Sequence, residues 1–428
     1  MSIYLSIGRA TASVLIVTMG VSSWAVDPLT LAEAQRLAVS RSQQLVAQDA
    51  LTTAIREQSV AAGQLPDPVL QLGIDNLPVN GPDRFSLSRD FMTMRRIGIM
   101  QEIPRAEKRQ LRTEKFERDA ERIQTQRQIT LVSVQRDTAL AWLDRYYAQA
   151  QRTLILQQID ESQLQVQAAD SAFRTGRGNQ ADVFAARAAV IMLQDRLSQI
   201  DRQSRSASLM LARWVGPPDA ERPTSGTPPW QSTPLQDHMS NELLKQHPDL
   251  LAIAADINAA ETEARLAQAN KKADISVEAN YAQRGSAFSN MLSVGVSIPL
   301  QWDQKNRQNR ELSAKLAMVE EAKARYEDML RKNEAEVRSL LNEWQTGKDR
   351  LVRIRNDLIP NARQRSQATL IAYRTGKSDL IAGLLARRDE LDVHMQALAL
   401  EMEIARVWAQ LNFLIPDKQI SASAKVKP

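Results

Sequence analysis

The chain has 428 residues, enough for two or three ordinary domains, and no cysteine, which excludes a disulfide framework and a thiolate metal site. Aromatic residues make up only 5%, and the bias towards Ala, Gln, Leu, Arg and Glu favours long helices over a compact aromatic core. The net charge of +5 comes from interspersed acids and bases, which reads as solvated helix faces and excludes a nucleic-acid footprint.

Residues 1–25 read as a secretory signal peptide. Arg9 is the only charge before Asp27, an apolar run covers Val14 to Val21, and Ser23-Trp24-Ala25 has the small-x-small form of a cleavage site. No other segment is a better candidate for a spanning helix. Any membrane span in the mature chain must then be β.

Asp27 and Thr30 are candidate N-caps for a helix from near Leu29. No Gly or Pro interrupts Thr30 to Ala62, and Gly63 with Pro66-Asp67-Pro68 ends the helix. From Val69 to Asp75, apolar Leu70, Leu72 and Ile74 alternate with Gln71, Gly73 and Asp75, a period-2 strand with one apolar face. Pro78 to Asp83 reads as a loop. A second strand spans about Met92 to Ile103, its alternation interrupted by Arg95 and Arg96. From Arg105 to Thr175 there is neither Gly nor Pro. A helix of that length reaches about 105 Å, which suits a coiled coil or a tall helical barrel. Phe173-Arg174-Thr175-Gly176 turns the chain back, and Ala181 to Val215 forms the return helix. A Pro-rich stretch, 217–234, reads as a linker.

The second half repeats the first. A helix from Asn241 to Lys272, with Pro248 as a break near its start, precedes strands Ile275 to Gln283 and Met291 to Ile298. Ile298-Pro299 echoes Ile103-Pro104. A long helix follows, in which Pro360 predicts a kink or break, and then Tyr373-Arg374-Thr375-Gly376 and a last helix from Ser378 to Leu414. The organisation is a first repeat at 26–216, a second at 235–416 and a polar tail at 417–428. Four strands cannot close a barrel in lipid, because open edges leave backbone groups unpaired. If they span a membrane, several chains share one barrel. The competing reading is four surface strands packed on helices in a soluble periplasmic coiled-coil scaffold.

The tandem repeat, the strand ends Gln101-Glu102-Ile103-Pro104 and Ser297-Ile298-Pro299, and the paired Arg-Thr-Gly tips resemble the TolC family of outer-membrane efflux ducts across almost the whole mature chain. The resemblance implies a mainly α fold with a β-barrel part: a homotrimer whose twelve strands form one barrel in outer-membrane lipid and whose helices form a tunnel across the periplasm. It implies a passive exit duct in a Gram-negative outer membrane, joined by a periplasmic adaptor (membrane fusion) protein to an inner-membrane pump of the resistance-nodulation-division type. Type I protein secretion and multidrug efflux are alternative uses of the same fold. Met94 to Pro104, followed by Lys108, Arg109 and Arg112, looks most like the heavy-metal efflux branch, although Arg105-Ala106-Glu107-Lys108 stands where that branch often has Pro-Gly-Lys. The missing cysteine excludes the N-terminal lipid anchor of some relatives.

The resemblance further implies that Arg174, Thr175, Gly176, Arg374, Thr375 and Gly376 dock on the adaptor. The glycines supply left-handed turns and the arginines complement helix dipoles. Relatives carry acids after the second tip. Here Ala382 and Leu385 occupy those places, while Asp182 holds the acidic place after the first tip and is the candidate pore-entrance acid. Asp379 reads as a helix cap. Met92, Met94 and Met100 share a strand parity that suits either soft-metal contact or ordinary packing. His238, His247 and His394 show no ligand spacing. With no nucleophile–base set and no phosphate-cradling loop, neither an enzyme activity nor a cofactor is expected.

Overall fold

The computed structural model describes residues 27–233 and 245–414. The signal stretch, His238 and the polar tail lie outside them. The first half contains α1 (Leu31–Arg41), α2 (Gln43–Ala62), β1 (Val69–Asp75), β2 (Met94–Ile103), α3 (Ala106–Arg174), α4 (Gln180–Val215) and the short α5 (Pro217–Glu221). The second contains α6 (Pro248–Ala269), β3 (Ile275–Gln283), β4 (Met291–Ser297), α7 (Gln308–Arg353), a π-helical turn (Ile354–Leu358), α8 (Ile359–Arg374) and α9 (Leu380–Asn412).

The 69-residue α3 is the spine, about 100 Å long. Helices α1, α2, α4, α6 and α9 all pack along it. Local chemistry explains how the helices divide and where the sequence expectation holds. The first helix divides at Ser42, whose backbone leaves the helical region while its hydroxyl accepts from the Leu45 N–H at 3.5 Å. Serine can cap a new helix without any Gly or Pro. Pro248 breaks the helix near its start as expected: Lys245 is helical, Gln246 and His247 are not, and Pro248 opens α6 in the first turn, where its missing N–H costs nothing, with the His247 ring as N-cap. Pro360 disturbs the long helix without ending it. It has no N–H for the Asn356 carbonyl and its ring crowds that group. The π turn at 354–358 widens the helix there and lets it continue into α8.

The largest core cluster lies midway along the helices, around Trp142, Tyr147, Trp344, Leu351, Ile404 and Trp408. The Pro-rich stretch has a role there beyond linking. Trp230 is buried in this core, its carbonyl accepts from Trp344 Nε1 at 2.8 Å, and the Ser232 carbonyl accepts from Trp408 Nε1 at 3.0 Å. Glu401 accepts from Trp230 Nε1 and from the Tyr147 hydroxyl, both at 3.3 Å, and pairs with Arg355 on the π turn. At the other margin of the strap, Leu29 and Thr224 form a β-bridge. The two repeats are thereby tied together across their middle.

The four strands form one antiparallel sheet in the order β1-β2-β3-β4. Both edges, β1 and β4, are unpaired among the described residues. Its lower end is bolted to the helices by Lys108, a nearly buried ammonium that donates to Asp274 Oδ2 at 2.9 Å and to the Lys272 carbonyl at 2.6 Å.

Candidate functional site

Two regions at opposite ends of the molecule carry the functional geometry. The first is the pair of hairpin tips. Helix α3 ends in a Schellman motif: Gly176 takes φ +72°, its N–H donates to the Phe173 carbonyl at 3.0 Å, and the Arg177 N–H donates to the Ala172 carbonyl at 2.9 Å. Helix α8 repeats it, with Gly376 at φ +71° and bonds to Tyr373 at 3.0 Å and from Lys377 to Ala372 at 2.8 Å. Thr175 and Thr375 each donate their hydroxyls back to carbonyls of the preceding turn. All six tip residues are exposed. Arg174 pairs with Asp170 at 2.7 Å, one turn back, whereas Arg374 has no ion pair among the described residues.

Asp182 begins α4 in a capping box. Its N–H donates to Asn179 Oδ1 at 2.9 Å and its carboxylate accepts from the Asn179 N–H at 3.4 Å. The side chain is buried where the two hairpins meet, in the neighbourhood of Val183, Ala186, Leu380 and Tyr373. Burial and the Asp182 charge both push the Tyr373 phenol pKa up. Asp379 is the N-cap of α9, accepting from the Ala382 N–H at 2.9 Å. Leu385 lines, with Ile381, Leu384, Met192 and Leu193, an apolar groove of about 340 Å³ between α9 and the α3–α4 hairpin. Above that groove Arg387 of α9 pairs with Glu161 of α3, and Arg196 of α4 with Asp392 of α9 at 2.6 Å.

The second region is the sheet. Its register aligns Leu72, Ile97, Tyr281 and Leu292 in one row and Leu70, Ile99, Ala279 and Val294 in the next. With Ile74, Val277 and Val296 they form one continuous apolar face, largely exposed within the chain. The opposite face is polar and internally bonded. Arg96 donates to Asp75 Oδ2 at 2.9 Å, to Gln71 Oε1 at 3.0 Å and to Asn280 Oδ1 at 3.5 Å. Gly98 makes room for this: a Cβ there would stand 1.8 Å from Asn280 Oδ1. Gly295 likewise sits under Glu278, 2.7 Å from Oε1. Met94 and Met100 lie on this polar face and Met100 meets the Gln71 amide at 3.8 Å, while Met92 precedes the strand. By sequence alone Arg95-Arg96 interrupts the strand's alternation. In the structure only Arg95 breaks the apolar face, and Arg96 organises the polar one. Parity alone could have suggested it; the partners on β1 and β3 follow from register.

A sheet apolar on one face and hydrogen-bonded on the other, with both edges open, matches a known class of channel. Residues 239–415 match the family model described as "Outer membrane efflux protein". The fold is that of an outer-membrane efflux channel. The chain aligns with CusC at TM-score 0.77 and 15% identity, over 90% of this chain and 92% of that one. It aligns with VceC from Vibrio cholerae at TM-score 0.72 and 16% identity, over 90% and 95%. For the CmeC channel of Campylobacter jejuni the values are 0.73 and 13%, over 99% and 97%. No curated protein matches the sequence. Proteins of this family are outer-membrane channels and not enzymes. No helix among the described residues is long and apolar enough to cross a membrane.

Proposed function

We propose that this chain is the passive exit duct of a tripartite efflux system, a homotrimer that carries metal cations delivered by an inner-membrane pump through a periplasmic adaptor. The observation that carries the reading is the one-sided sheet with two open edges. Three copies joined edge to edge give twelve strands, lipid against the apolar face and water against the polar one. The cation cargo is supported by the charges on the polar face. Asp75, Glu102 and Glu278 stand there against one guanidinium, Arg96, which is already paired with Asp75. A lumen ringed by surplus carboxylates concentrates cations. The heavy-metal character of the Met94–Pro104 passage points the same way. The exposed Arg-Thr-Gly tips are the adaptor-docking ends, and the carboxylate of Asp182 contributes to the charge of the entrance.

The purified protein in planar bilayers is expected to conduct with preference for cations, and Glu278→Gln to reduce that preference. Anion preference would overturn the cation reading. In cells, deletion should sensitise the strain to metal salts more than to drugs. Gly176→Pro and Gly376→Pro, which cannot adopt the positive φ, are expected to leave cross-linkable trimers but lower export. Normal export by both variants would remove the tips as docking sites.

A further inference from the structure

The outward alternation of β4 does not stop where the strand does. Leu292, Val294 and Val296 are followed by Ile298, Leu300 and Trp302, every second residue, all exposed. Trp302 is 88% exposed, the largest value among the exposed large apolar residues. This exposure is built into the loop. The intervening Gln301 donates to the Asn270 carbonyl at 3.0 Å, and Gln304 to the Lys271 carbonyl at 3.3 Å, so both amides pin the segment to the end of α6. Asp303 then holds Asn306, accepting from its Nδ2 at 3.0 Å. Ile298, Leu300 and Trp302 are thereby left on the outside. Directly beyond come Lys305, Arg307 and Arg310, exposed and without an ion pair among the described residues. The matching passage of the first repeat, Ile103-Pro104-Arg105, enters α3 at once and has no aromatic residue.

This order of apolar row, tryptophan and cations follows the profile of a bilayer boundary: hydrocarbon, headgroup layer, charged surface. Indole rings favour the headgroup layer, and free cations near an anionic surface gain electrostatic attraction. We propose that residues 300–310 form an interfacial anchor, with Trp302 seated in the headgroup layer on the periplasmic side and Lys305, Arg307 and Arg310 binding anionic phospholipid headgroups. The anchor rests on the reading of the sheet as a membrane span. Its occupant is a lipid because the apolar row is continuous with the lipid-facing sheet and because three unpaired cations call for an anionic surface. A second copy of the chain over Trp302 is the competing occupant.

The test uses the trimer in vesicles of phosphatidylcholine with phosphatidylglycerol. The tryptophan emission of the wild type minus that of Trp302→Phe isolates the Trp302 signal. It is expected to be quenched by lipids brominated high on the acyl chain and less by those brominated near its end. Spin-labelled phosphatidylglycerol should associate several-fold more than spin-labelled phosphatidylcholine. That preference should vanish in the Lys305→Gln/Arg307→Gln/Arg310→Gln variant and in high salt, and persist in Arg331→Gln/Lys332→Gln, which alters exposed cations further along α7. An unquenched Trp302 in trimers that still conduct would overturn the anchor and assign the site to a second copy. An unchanged lipid preference in the triple variant would overturn the role of the cations. Failure to insert into vesicles at all would overturn the span and the anchor together.

Discussion

Gly98 shows how much one hydrogen atom can decide. Its missing side chain leaves the space in which Asn280 reaches towards Arg96. Gly98→Ala is expected to cost about 1–3 kcal/mol through overpacking, read as a lower melting temperature of the assembled protein. Asn280→Ala should recover part of that loss by vacating the space. Lys108 makes the opposite point. Its ammonium is nearly buried and depends on Asp274 and one carbonyl. Burial pushes the Asp274 carboxyl up, but the bond from Lys108 and the Arg105 N–H outweigh it and hold the pKa below its ordinary value. Asp274→Asn is expected to cost about 3 kcal/mol, because the buried charge loses its partner. His247 gives a pH dependence. Burial holds its pKa below the usual value despite the nearby Asp249 and Glu336 carboxylates, so the neutral ring caps α6. A depressed folded pKa means that its stabilisation is complete above about pH 6.5 and is lost as pH falls through the folded value. Protection factors of the amides in the first turn of α6, with the intrinsic pH dependence of exchange divided out, should therefore fall on acidification, and His247→Asn, a cap that does not titrate, should flatten the response.

Helices, strands and hairpins differ in how much of them is written in local sequence. β1 and β3 coincide with their expected bounds, since period-2 alternation between Pro and Gly punctuation is a local signal. The tips were equally legible, because a Schellman turn needs glycine at its left-handed residue. The division at Ser42 and the passage of the chain through Pro360 were not, since a serine cap and a π turn leave no unique mark in composition. The contacts between hairpins were also out of reach. Glu161 and Arg387 are more than two hundred residues apart, and nothing local pairs them. These pairs brace α9 against α3 and α4 near the tips. In Arg196→Ala/Arg387→Ala the brace is removed, and the expected outcome for the proposed duct is a higher and noisier single-channel conductance with assembly intact. Unchanged conductance would exclude the pairs from control of the entrance.

For the whole molecule, the apolar and polar faces of the sheet make the proposed span testable. A charge on its apolar face should be penalised and the same charge on its polar face tolerated. On the proposed membrane span, Val294→Arg is expected to cost about 2–4 kcal/mol of membrane stability, read as reduced insertion into vesicles, while Ser293→Arg inserts normally. Equal tolerance of both would contradict a lipid-facing sheet. The sequence by itself determined the repeat, the long helices, the strand parity and the two tips, because each is written in local periodicity and in Gly and Pro punctuation. Only the tertiary structure decided which strands are neighbours, that Arg96 serves the polar face through β1 and β3, that Asp182 lies buried between the hairpins, and that the Pro-rich strap is clamped by Trp230, Trp344 and Trp408. Those features depend on register and on contacts between residues far apart in the chain, and no local pattern encodes either.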